Sequence, residues 1–140
     1  MGQLRCNFWR GELEALPQLN AGHGCDSIKP TFVFDKPYKI ETRQHRESNV
    51  ANAYCIYTDG SKTKEGSGCG IYSRSLNLSI KWGMGKNASV VQTELAGISI
   101  AAKEIIGKGI AGKTIIICTD SRQALLTLNR PRVISGLVMD

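Results

Sequence analysis

The 140-residue sequence predicts an α/β protein, a mixed β-sheet with helices packed against it, and three observations predict that class. Tyr54–Asp59, Gly68–Ser73 and Leu76–Met84 are strand-like runs joined by short polar turns, which makes an antiparallel meander. Val91, Leu95, Ile98, Ala102 and Ile105 then recur at helical spacing. Thr114–Thr119, "TIIICT", is apolar without alternation, as in a strand buried on both faces. A strand, a crossover helix and a second buried strand imply parallel pairing. The expected order is β-β-β-α-β-α.

Taken in chain order, residues 1–52 lack sustained periodicity and are expected to be an irregular segment and linker preceding one domain over 53–140. Pro17, Gly22, Gly24, Pro30 and Pro37 punctuate them. Glu12–Leu19 reads as one or two helical turns. "TFVFDKPYKIET" holds short extended pieces, and Pro37 argues against a central strand there. In Leu76–Met84, Leu76, Leu78, Ile80, Trp82 and Met84 share one face, opposite Asn77, Ser79, Lys81 and Gly83. That is a half-buried strand with its second face open to water. Ser89 with Gln92 forms a capping box at the start of the first helix, and Gly107 and Gly109 end it. Ser121 is the N-cap of a second helix, which Pro131 stops. "VISGLVMD" opens a further apolar segment.

Net charge is +6, unevenly placed: seven Lys/Arg against six Asp/Glu in residues 1–53, eleven against six in 54–140. A basic domain favours a polyanionic partner, nucleic acid first, although a merely soluble basic surface reads the same way. No run approaches the roughly 18 apolar residues of a membrane span, and the N-terminus has no signal-type apolar core. The expectation is an intracellular chain, in cytoplasm or nucleus, with no membrane association and no obligate protein partner. Cys6, Cys25, Cys55, Cys69 and Cys118 are odd in number and lack C-x-x-C spacing, so reduced thiols are expected rather than disulfides or zinc. His23 and His45 stand alone in polar surroundings and read as surface residues.

Three acids stand out by position. Asp59 ends the first strand of the meander and Asp120 follows the buried strand Thr114–Thr119. Side by side in parallel, those strands bring both carboxylates to one sheet edge, where sites form in open α/β sheets. Glu94, in the second turn of the first helix, precedes the core residue Leu95 and leans toward that edge. Each also has a structural use: turn former, solvated helical residue, or partner of a helix dipole. Together, three converging carboxylates repel unless a hard divalent cation joins them.

"YTDGSK", "TELAGI" and "TDSRQALL", in that order on strand, helix and strand, resemble the type 1 ribonuclease H fold and its Asp–Glu–Asp motif. "VFDKPYKI" and "LNRPRVISGLVMD" further resemble the ribonuclease H region of non-LTR retrotransposon polyproteins, where it follows a reverse transcriptase. The resemblance covers about residues 53–140. It implies a metal-dependent endonuclease that hydrolyses the RNA strand of an RNA–DNA hybrid, leaving 3′-hydroxyl and 5′-phosphate ends. It implies two Mg²⁺ ions, with Mn²⁺ as a substitute: Asp59 bridges both, and Glu94 and Asp120 complete the first. Gly60, Ser61, Ser89 and Arg122 take substrate-contacting places, near ribose 2′-hydroxyls that mark an RNA strand.

The sequence departs from the family in several places. The family's fourth carboxylate, its preceding His, its last strand and its last helix have no counterpart before Asp140. The resemblance therefore implies a truncated domain of impaired activity, with an unpaired edge on Thr114–Thr119 and apolar surface left bare. Val90 and Val91 stand where many members carry Asn, and Arg122 replaces a frequent Gln. The competing reading is a catalytically inactive nucleic-acid-binding remnant. An integrase-type site, with two Asp before the Glu, is disfavoured by the order Asp59, Glu94, Asp120.

Overall fold

The computed structural model describes residues 2–7, 27–41, 52–135 and 137. The elements are β1 (Gly2–Asn7), β2 (Ser27–Phe32), β3 (Tyr38–Glu41), β4 (Ala53–Lys62), β5 (Ser67–Ser73), β6 (Leu78–Gly85), α1 (Val90–Gly107), β7 (Thr114–Thr119), α2 (Arg122–Asn129) and β8 (Arg132–Ser135). The expected α/β class with a mixed sheet is what the chain adopts. Six strands form one sheet in the order β3-β1-β7-β4-β5-β6, and β2 pairs β8 separately. The meander β4–β5–β6 is antiparallel, and β4 lies parallel to β7.

The local signals explain these elements. Ser89 caps α1: its hydroxyl accepts the Gln92 N–H at 3.2 Å, and the Gln92 side chain accepts the Ser89 N–H at 2.8 Å. Ser121 caps α2 by accepting the Ala124 N–H at 3.2 Å. Helix α1 lays Leu95, Ile98, Ala101 and Ile105 on Ile56, Ile71, Ile115 and Ile117 of the sheet, and Ala124 and Leu128 of α2 complete this core. Ala101 is fully buried whereas Ala102, expected in the stripe, is only half-buried. Gly97 lets the helix come close, since a Cβ there would lie 3.3 Å from the Thr58 Cβ. Asn77, at φ 51°, takes the left-handed turn position between β5 and β6. Trp82 lies 57% exposed because β6 is the sheet's edge strand, outside the cover of α1.

Two expectations are corrected. Residues 1–52, expected to be an irregular segment and linker with only short extended pieces in 31–42, contribute β1, β2 and β3; β3 falls within those extended pieces, and β1 and β3 extend the main sheet. The edge of β7, expected to be unpaired, is paired along its length by antiparallel β1, from Gly2 opposite Thr119 to Asn7 opposite Thr114. The physical reason is that Ile115–Cys118 is buried, and the backbone N–H and C=O groups on its outer edge need partners there. "QLRCN" itself alternates polar and apolar residues with the period of a strand. The prolines keep to permitted places: Pro37 precedes the edge strand β3, and Pro30 sits where the β2–β8 register shifts between Ser27 and Thr31.

The Tyr38 hydroxyl donates to the Leu128 carbonyl at 3.1 Å and ties β3 to the end of α2. Cys55, Cys69 and Cys118 are thiols, as expected. Glu12–Leu19, the side chains of Cys6 and Cys25, His23 and His45, and Asp140 lie outside the described residues. Among the described residues no helix is long and apolar enough to cross a membrane.

Candidate metal centre

The parallel register sets the site. Thr58 of β4 pairs with Thr119 of β7, so Asp59 and Asp120 follow at the same level of the sheet edge. Strand β4 runs on to Lys62, three residues beyond its expected end, with Asp59 opposite Gly70 and Ser61 opposite Gly68 of β5. Asp120 fills the single position between the end of β7 and the N-cap Ser121. Glu94 arrives from the second turn of α1 and is buried, at 3% exposure, while Asp59 and Asp120 are exposed. One carboxylate oxygen from each of the three lies within 4.8 Å of the other two. The three predicted acids are therefore brought together.

Glu94 is held by donors on two sides. The Thr119 hydroxyl donates to its Oε2 at 3.2 Å, and the backbone of Gly60 is hydrogen-bonded to the same carboxylate. Burial pushes its carboxyl above the ordinary value; the Gly60 and Thr119 hydrogen bonds act the other way, and the charges of Asp120 and Asp59 push it up further. Burial, and then the Glu94 charge, raise the neighbouring Cys69 thiol, so it stays neutral.

Gly60 makes this approach possible. A Cβ there would collide with the Thr93 hydroxyl and stand 2.8 Å from the Glu94 backbone nitrogen. Thr93 is itself fully buried, its hydroxyl donating to the Val90 carbonyl at 2.6 Å. Of the expected substrate-contacting residues, Gly60 thus turns toward Glu94 and α1, and the Ser89 hydroxyl is engaged in capping. Ser61 and Arg122 are exposed, at the far end of β4 and the first position of α2. The Lys62 ammonium donates to the Ala88 carbonyl at 2.8 Å and joins the β4 end to the loop before α1.

Thr93, Gly97 and Thr119 are the contributors that motif reading passes over. Thr119 had a visible signal, a polar residue closing the apolar run Ile115–Cys118 immediately before an acid. Comparison with protein-family models, with curated proteins and with solved structures returned no match. Fold and site together define a mixed α/β protein with a three-carboxylate cluster at the C-terminal edge of a parallel strand pair.

Proposed function

We propose that the chain is a metal-dependent endoribonuclease of the type 1 ribonuclease H kind, hydrolysing the RNA strand of an RNA–DNA hybrid. The observation that carries this reading is the meeting of Asp59, Glu94 and Asp120, from three separate elements, within 4.8 Å. Their order on strand, helix and strand supports it, as does a sheet in which β4 is parallel to β7 and antiparallel to β5.

The donor set fits a hard divalent cation. All three groups are carboxylates, and a buried, charge-crowded Glu94 gains most from a neighbouring cation. Asp59, Glu94 and Asp120 would hold Mg²⁺ or Mn²⁺, which when bound supplies an activated water and neutralises charge at the scissile phosphate. The chain's own part is positional. Glu94 is fixed by its two donors, while Asp59 and Asp120 are exposed and accessible to a phosphodiester. Exposed Arg122 offers a planar fork to a phosphate, and the net charge of +6 favours a polyanion.

The test is a gel assay on a hybrid with labelled RNA, in Mg²⁺ or Mn²⁺, comparing wild type, Asp120→Asn and added EDTA. The expected result is cleavage of the RNA strand that EDTA and Asp120→Asn both abolish. Salt-sensitive hybrid binding without cleavage would favour the inactive remnant, and cleavage indifferent to Asp120 would remove the site.

A further inference from the structure

We infer that Thr119 is a positioning residue, its hydroxyl setting the separation of Glu94 and Asp120 and thereby the cation affinity of the cluster; this rests on the metal-dependent reading above. Thr119 is 1% exposed, and its hydroxyl makes two hydrogen bonds of opposite sense. It donates to Glu94 Oε2 at 3.2 Å and accepts the Ser121 N–H at 3.1 Å. A hydroxyl has one proton, so the amide on its oxygen leaves that proton to the carboxylate. Glu94 is held as an acceptor with a fixed orientation.

The second bond matters as much. Thr119 and Ser121 flank Asp120, and a bond between them closes the backbone around it. Ser121 is in turn committed to α2, accepting the Ala124 N–H at 3.2 Å. One hydroxyl therefore links the end of β7, the Asp120 turn, the start of α2 and the Glu94 carboxylate from α1. The Thr58 hydroxyl, opposite in register, donates instead to the Cys118 carbonyl at 3.4 Å and does not reach the carboxylates in this way. Groups that orient a ligand from behind typically change metal affinity about 10- to 100-fold when removed.

The experiment is Mn²⁺ titration by calorimetry on the full chain, with Mn²⁺ alone as the probe. It compares wild type, Thr119→Val, Thr119→Ser and Asp59→Asn, each checked for folding by circular dichroism. Thr119→Val keeps the shape and removes the hydroxyl; Thr119→Ser keeps the hydroxyl and removes the methyl. The expected result is Mn²⁺ affinity lowered about 10- to 100-fold in Thr119→Val and restored to near wild type in Thr119→Ser. Equal affinity in wild type and Thr119→Val overturns the inference and leaves the metal-dependent reading intact. Loss of affinity in Thr119→Ser equal to that in Thr119→Val assigns the effect to the methyl and also overturns it. A wild type that binds no Mn²⁺ overturns both. Should Thr119→Val fail to fold, Thr119→Ala, which also removes the hydroxyl and offers no donor, takes its place, and wild-type affinity in that variant overturns the inference.

Discussion

Thr58 and Thr119 lie opposite one another across the parallel β4–β7 pair, and each is followed directly by an aspartate. Parallel strands run in the same direction, so Asp59, still within β4, and Asp120, just past the end of β7, lie at one level along them. An antiparallel register would put them at opposite ends. The arrangement concentrates three carboxylates in a protein of net charge +6.

The first prediction concerns that charge. Without divalent cations, Asp59→Asn is expected to melt at or above the wild-type temperature, because it removes one of three mutually repelling groups. With Mn²⁺ the order reverses. A cation binding only the folded wild type adds about 2.7 kcal/mol at a free concentration 100 times Kd. The variant is expected to gain little. Thermal melts in EDTA and in excess Mn²⁺ check both halves, and an equal Mn²⁺-induced shift in both proteins would contradict the assignment of Asp59.

The second prediction is a pH dependence. Burial holds the Glu94 carboxyl above its ordinary value, so the folded chain binds that proton more tightly than the unfolded chain. Its contribution to stability is fully present below the unfolded glutamate value and is lost as pH rises through the folded one. Metal-free wild type should therefore lose stability relative to Glu94→Gln across the weakly acidic range. Mn²⁺ affinity should rise over the same range, since the cation needs the ionised carboxylate. Urea unfolding of both proteins in EDTA, at pH steps upward from the ordinary glutamate range, measures the difference. A difference that stays flat, or grows in wild type's favour, would sink this account.

The third prediction isolates the close approach of β4 to α1. A methyl at Gly60 meets the Thr93 hydroxyl, the Glu94 nitrogen at 2.8 Å and the Glu94 Cδ at 3.0 Å. Gly60→Ala is expected to cost about 1–3 kcal/mol as an overpacked contact and to weaken Mn²⁺ binding by displacing Glu94. Gly70 is the control. It pairs with Asp59, but its added Cβ would meet nothing nearer than the Ile80 carbonyl at 4.0 Å. Urea midpoints that fall equally in Gly60→Ala and Gly70→Ala would show a general strand effect instead.

Much of the site was legible because it rests on local signals. The capping box at Ser89 sets the phase of α1, and that phase puts Glu94 one position before the core residue Leu95. The turn after Thr119 and the cap at Ser121 locate Asp120 to the residue. What was not legible depends on partners far apart in sequence. Nothing near Thr119 announces a bond to Glu94, 25 residues earlier. Nothing near Gly2–Asn7 announces a place between β3 and β7, more than 100 residues from its partner. Alternation suggests a strand, but it does not name a neighbour.

The last prediction follows from that neighbour. Strand β1 covers the outer edge of β7, where Ile115, Ile116 and Ile117 form an apolar run of high β-propensity. Such a run left unpaired templates pairing with other chains. Leu4 lies opposite Ile117, within a strand paired on both sides, by β3 and by β7. Leu4→Pro removes the residue's N–H and bars it from a central strand. The expected outcome is faster amide exchange in β7 on the side facing β1, a lower melting temperature and a larger thioflavin-positive fraction on mild heating. Proline at the edge strand β3, at Lys39, serves as the comparison and is expected to be milder, since β3 has only β1 beside it. The Mn²⁺ affinity of whatever Leu4→Pro protein stays folded should be close to wild type, because the three carboxylates come from β4, α1 and the turn after β7. Unchanged β7 exchange and unchanged melting in Leu4→Pro would mean that β7 keeps its outer edge protected without β1.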